Sequence, residues 1–184
     1  RRPGILAFYL SVGLMQLSNG PYYTFLTLHL ESLGYSRGLI GQLWALGVLA
    51  EIVLFMVMAR LLARYSLRSV LLASFLITAV RWLLLGNLAD YLPVLLFAQL
   101  MHAATFGSFH AAAIHFVQRS FADRQQGQGQ ALYATLAGVG GALGALYSGY
   151  SWNTLGPAWT FAIASLIVLA AALITVIYMR EEQP

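Results

Sequence analysis

The sequence predicts an all-α integral membrane protein, a bundle of six transmembrane helices, and three observations carry that prediction. Apolar and aromatic residues make up 60% of the 184 residues and charged ones only 9%, against about 25% charged in soluble domains. Six stretches of about 20 to 25 residues hold at most one charge each, the length that crosses a hydrocarbon core of about 30 Å as a helix. Arginines gather in alternate connections between these stretches. Helices are required because backbone groups in lipid must bond within their own segment, and the stretches lack the alternation of a barrel strand. The spans use nearly all of residues 1–184, read as a single membrane domain. No room remains for a soluble enzyme, a zinc module or a nucleic-acid-binding domain behind the pI of 9.6. The chain has no Cys, which excludes disulfide and thiol chemistry.

The first span, Ile5 to Leu30, is too long for the apolar region of a signal peptide. Ser18-Asn19-Gly20-Pro21 interrupts it, since Pro21 lacks an N–H and Asn19-Gly20 tolerates non-helical angles. Freed carbonyls there make a candidate substrate wall flanked by Gln16, Tyr22 and Tyr23. The second span, Gly38 to Ala59, contains Glu51, and the third, Ser69 to Ala89, contains Arg81. In the fourth, Pro93 to Val117, Gln99, His102, Thr105 and Phe109 recur at spacings of three and four and share one face. The fifth, Gln128 to Tyr150, is rich in glycine, and its Gly140, Gly144 and Ser148 predict close helix packing. The sixth, Pro157 to Met179, has few polar residues and reads as lipid-facing. Because the chain starts at Arg1 and not at Met, it is expected to be a fragment or a processed chain whose N-terminal partner is missing.

Arg1, Arg2, Arg60, Arg64, Arg68, Arg119, Arg124 and Arg180 fall on one side of these spans and Arg37 alone on the other. Loops rich in Arg stay in the cytoplasm, so both termini are predicted cytoplasmic in a multi-pass protein. All ten basic residues are Arg, as a GC-rich bacterial genome would encode, which suggests a bacterial inner membrane. The order polar span, glycine-bearing span, apolar span occurs twice and predicts a 3+3 inverted repeat.

Glu51, Arg81 and His102 are the strongest functional signal. A charge at the bilayer centre costs about 2.5–3.5 kcal/mol or more, so intramembrane ionisable residues are paired and mark pathways. At a helical rise of about 1.5 Å per residue, Glu51 lies ~4 Å to the cytoplasmic side of its span's midpoint. Arg81 lies ~3 Å and His102 ~6 Å to the outer side. One layer therefore accommodates all three, either as a Glu51–Arg81 ion pair with His102 as a hydrogen-bond donor or as a site that exchanges a proton near neutral pH. No metal or other cofactor is expected: His110 and His115 are five apart and do not chelate together. His29 sits at a span end, where a solvated role is expected. Ser108 and His110 on one helix do not face each other as a nucleophile and base would, so an enzyme is not expected. An oligomeric channel lacks support, since neither an Asn-Pro-Ala pair nor a carbonyl-filter sequence is present.

The strings Gly34-Tyr35-Ser36, Ile40-Gly41-Gln42-Leu43-Trp44, Gly47-Val48-Leu49-Ala50-Glu51, Arg81-Trp82 and Met101-His102-Ala103-Ala104-Thr105-Phe106-Gly107 resemble the second half of proton-coupled members of the major facilitator superfamily, within it the phenylpropionate permease family. The resemblance implies a twelve-helix transporter of two six-helix bundles that rocks around a central cavity, with this chain as helices seven to twelve. It implies proton-coupled symport of an aromatic carboxylate such as phenylpropionate, or alternatively of a sugar or nucleoside. Glu51, Arg81 and His102 look like the acidic residue, arginine and histidine of the more distant lactose permease, which implies proton coupling at Glu51 and His102. Thr105 stands where that protein has a Glu, and the segment from Ala59 to Arg68 lacks the Asp usual in the corresponding loop. The substrate-binding residues then expected are Arg81, Gln99, His102, Thr105, Phe106, Gln16, Asn19, Tyr23 and Trp44, with Tyr23, Trp44 and Phe106 stacking on an aromatic ring. Expected partners are the substrate, protons, the lipid bilayer and an N-terminal six-helix half, or a second copy of this chain in its place.

Overall fold

The structure, a computed structural model, describes residues 2–179; Arg1 and Arg180 of the topology count lie outside them. The first span is two helices, α1 (Arg2–Ser18) and α2 (Gly20–Ser32). Then come α3 (Arg37–Arg64), α4 (Leu67–Asn87) and α5 (Leu92–His102). A π-helical turn, Ala103–Gly107, joins α5 to α6 (Ser108–Ser120). The last two are α7 (Gln126–Leu155) and α8 (Pro157–Tyr178). Among the described residues, five continuous helices, counting α5 to α6 as one, are long and apolar enough to cross a membrane. The sixth crossing is made by α1 and α2 together. The helices overrun the predicted spans at most ends.

The interruption of the first span is slighter than expected. Only Asn19 leaves the helix, and it keeps helical angles of φ −72° and ψ −9°. The chain is therefore interrupted for a single residue instead of unwinding. The carbonyl that Pro21 leaves without a donor, on Leu17, faces α7: a Cβ on Gly144 would lie 2.7 Å from it. A Cβ on Gly20 would in turn strike the Gly144 carbonyl. The two backbones cross at van der Waals distance, the packing predicted for Gly140, Gly144 and Ser148, all three of which are buried.

α4 and α8 pack along their length, α1 lies against α8 and α7, and α3 leans on α5 and the π turn. Trp82, Phe75, Phe161, Phe8 and Phe109 fill the centre and are completely buried. The polar residues of α8 do not face lipid as expected. Thr160, Ser165 and Thr175 are buried, with the Ser165 hydroxyl donating to the Ala79 carbonyl at 3.0 Å and Ser11 and Thr175 meeting at 3.1 Å. Leu166, Leu173 and Ile177 occupy the opposite face and are exposed. His29 also departs from its expected solvated role: it is buried edge-on against Trp152 at 5.5 Å between ring centres. Corresponding members of the two triplets share character, since α1–α2 and α5–α6 are both interrupted near mid-span and α3 and α7 are the least buried long helices.

Candidate substrate and coupling site

Arg81 enters the core from the middle of α4 and is 1% exposed. The Nε donates to the Ala98 carbonyl at 2.7 Å, Nη2 to Gln99 Oε1 at 3.1 Å, and Nη1 reaches Thr105 Oγ1 at 3.4 Å. The guanidinium lies 4.2 Å from the centre of the Tyr22 ring and 5.0 Å from that of Trp82. A desolvated cation over such faces gains about 2 kcal/mol. All of these partners are neutral. Of the two arrangements left open by the sequence, the Glu51–Arg81 ion pair is not formed; Glu51 lies instead beside His102, Oε2 to Nε2 at 3.7 Å, an ion pair only when the imidazole is protonated. Equal depth brought the three residues into one layer, but azimuth decided the partner: α3 leans on α5 and the π turn and has little contact with α4.

The π turn sets the rest of the geometry. An extra residue per turn widens the helix, a feature common at functional sites. His102, Phe106 and His110 form a ladder of nearly parallel rings, at 5.5 Å and 9° and then 6.0 Å and 1°. Tyr22 covers the other side of His102 at 5.5 Å, so the imidazole plane is fixed with its edge toward Glu51. The Thr105 hydroxyl donates to the His102 carbonyl at 3.1 Å, which turns an oxygen lone pair toward Arg81. On the facing helix a Cβ at Gly107 would press on Glu51 Cγ at 3.1 Å, so the carboxylate depends on the bare glycine. At 3.7 Å, Glu51 and His102 are within ion-pair range but beyond the 2.7–3.2 Å of a hydrogen bond.

Gln99 is completely buried. Its Oε1 accepts from both Tyr22 Oη, at 3.1 Å, and Arg81. These two donors fix the amide orientation, and they leave Nε2 buried without a partner, as is Nδ1 of His102. Buried polar atoms with nothing to bond are rare in native proteins, and each calls for a partner. Beside them Trp44 packs on Tyr22 at 4.8 Å and on Tyr23 at 6.3 Å, and its Nε1 donates to Thr27 at 3.2 Å.

Arg81, Gln99, His102, Thr105, Phe106, Trp44 and Glu51 are thus brought together, with Tyr23 at the rim. Gln16 and Asn19 stand differently: they bond to each other at 3.0 Å, and Gln16 packs toward Gly140 of α7. Tyr22 is the residue whose weight the sequence understated. It touches Arg81, Gln99, His102, Trp44 and Trp82, and its position directly after Pro21 was the available signal.

Residues 1–163 match the model of the MFS_1 like family. Over 166 residues the chain is 33% identical to a protein of Escherichia coli (strain K12) described as a probable 3-phenylpropionic acid transporter, covering 86% of this chain and 42% of that protein. The chain therefore spans less than half the length of the relative it matches, in its C-terminal half.

Proposed function

The chain belongs to the MFS_1 like family of transporters, and from that premise we propose that it forms the C-terminal six-helix half of a proton-coupled symporter for a small aromatic carboxylate. An N-terminal six-helix half completes the cavity, and the two halves rock to give alternating access. The protein sits in a bacterial inner membrane with the arginine-rich connections in the cytoplasm.

The observation that carries this reading is a buried arginine with neutral partners, ringed by aromatic faces and placed next to a separate carboxylate–imidazole pair. A guanidinium without a counter-ion attracts an anion. The Gln99 Nε2 supplies a further donor to the incoming carboxylate, while Trp44 and the exposed Tyr23 at the rim offer aromatic surface to a ring. Glu51 and His102 take up the proton and release it on the other side of the membrane. The corrected pairing separates the two tasks: Arg81 binds, and Glu51 with His102 couples. One proton carried with one monoanion makes the cycle electroneutral.

The test follows external pH around vesicles containing the full-length protein as aromatic acids, nucleosides or sugars are added. Alkalinisation with aromatic acids is expected for wild type. Glu51→Gln is expected to abolish uphill uptake while substrate exchange continues. Equal loss of both activities would remove Glu51 from the coupling role, and proton movement with sugars or nucleosides alone would reassign the substrate.

A further inference from the structure

A second cavity of about 390 Å³ opens between α3 and α4 at the arginine-rich end of the bundle. Leu54 and Met58 of α3, Val70, Ala73 and Ile77 of α4 and Ala104 of the π turn form most of its wall. The three serines that reach it are already bonded. Ser74 and Ser108 meet at 2.7 Å, one hydroxyl donating to the other, and the proton that remains is given to a carbonyl of the acceptor's own helix, Val70 or Ala104. Ser69 meets Ser66 at 2.8 Å. None of the buried polar atoms left without a partner among the described residues lies in this wall. The wall away from Tyr65 offers a polar solute little to bond, and an apolar cavity excludes water.

The mouth has the opposite character. Tyr65 lines the cavity yet is 48% exposed, and the Arg64 guanidinium lies over its ring at 5.8 Å. Arg60, one turn earlier on the same face of α3, is exposed as well. Between Glu51 and Asp90 the sequence has no acidic residue, so this connection offers no carboxylate to neutralise them.

We propose that this cavity is a binding site for an anionic phospholipid, with an acyl chain between α3 and α4 and the phosphate held by Arg60 and Arg64 at the membrane surface. The apolar wall selects hydrocarbon and the exposed arginines select the negative headgroup; a free anion satisfies only the second. The inference requires only that the chain spans a membrane and stands apart from the symport reading.

Native mass spectrometry of the full-length protein, titrated with phosphatidylglycerol and with phosphatidylcholine of identical chains, tests it. Wild type is expected to retain phosphatidylglycerol in preference. Arg60→Gln and Arg64→Gln are each expected to weaken retention about fivefold, and Ala73→Leu, which fills the cavity, to weaken it for both lipids. Both arginines are exposed, so their variants fold even if Ala73→Leu does not. Equal retention of the two lipids, or no loss in Arg64→Gln, overturns the proposal. Displacement of the lipid by millimolar inorganic phosphate or by 3-phenylpropionic acid also overturns it, assigning the site to a soluble anion.

Discussion

Arg81 shows how a buried charge is tolerated without a counter-ion. Its carbonyl, amide and hydroxyl acceptors and two aromatic faces replace hydration, and Gln99, Thr105 and Tyr22 are each held in place by a second contact. A lysine keeps the charge but loses the planar fork that engages Ala98, Gln99 and Thr105 together. Arg81→Lys is therefore expected to lower substrate affinity about 10- to 100-fold, the scale of one charge-assisted hydrogen bond, while the protein still inserts and folds. Substrate-protected thermal shift against carboxylate concentration measures this, and an unchanged half-saturation would exclude Arg81 from binding. The ionisable trio was legible in the sequence because charge is costly in apolar spans. The partner chosen by Glu51 was not, since a residue's depth follows from its position in a span but its azimuth follows from how whole helices pack.

At the scale of elements, the apolar stretches and their arginine-flanked ends were readable because length and composition alone decide what can cross a bilayer. The π turn at Ala103–Gly107 was not readable, as Ala-Ala-Thr-Phe-Gly has no composition that distinguishes it from ordinary helix. The inward polar side of α8 was missed for a related reason: Thr160, Ser165 and Thr175 are few, yet all three are buried. Glycines divide by environment in a manner that hydropathy cannot show. Gly20→Ala and Gly144→Ala put a methyl into the opposing backbone and are expected to destabilise by about 1–3 kcal/mol, read as a lowered melting temperature in detergent. Gly127 has open space around it, and Gly127→Ala is expected to be neutral or to stabilise by up to about 1 kcal/mol through helix propensity. Equal effects at the crossing and at Gly127 would mean that the α1–α2 contact with α7 is looser than described.

At the scale of the molecule, five exposed Tyr and Trp residues fall at two levels. Tyr91, Tyr150 and Trp159 lie at one end of the bundle, and Tyr65 and Tyr178 at the other, as expected for residues seated at the two membrane interfaces. The absence of cysteine from this segment makes the orientation measurable. In right-side-out cells, Asn153→Cys is expected to react with a membrane-impermeant maleimide, whereas Gln125→Cys reacts only after the membrane is opened. Labelling of Gln125→Cys from outside would invert the topology.

Two of the four tryptophans, Trp44 and Trp82, flank Tyr22 and therefore border the space beside Arg81. Indole emission responds to nearby charge and to aromatic rings, so the pocket carries its own optical reporter. If the proposed aromatic acid binds beside Arg81, it is expected to quench or shift that ultraviolet signal without any attached dye, so that occupancy is read directly from the protein.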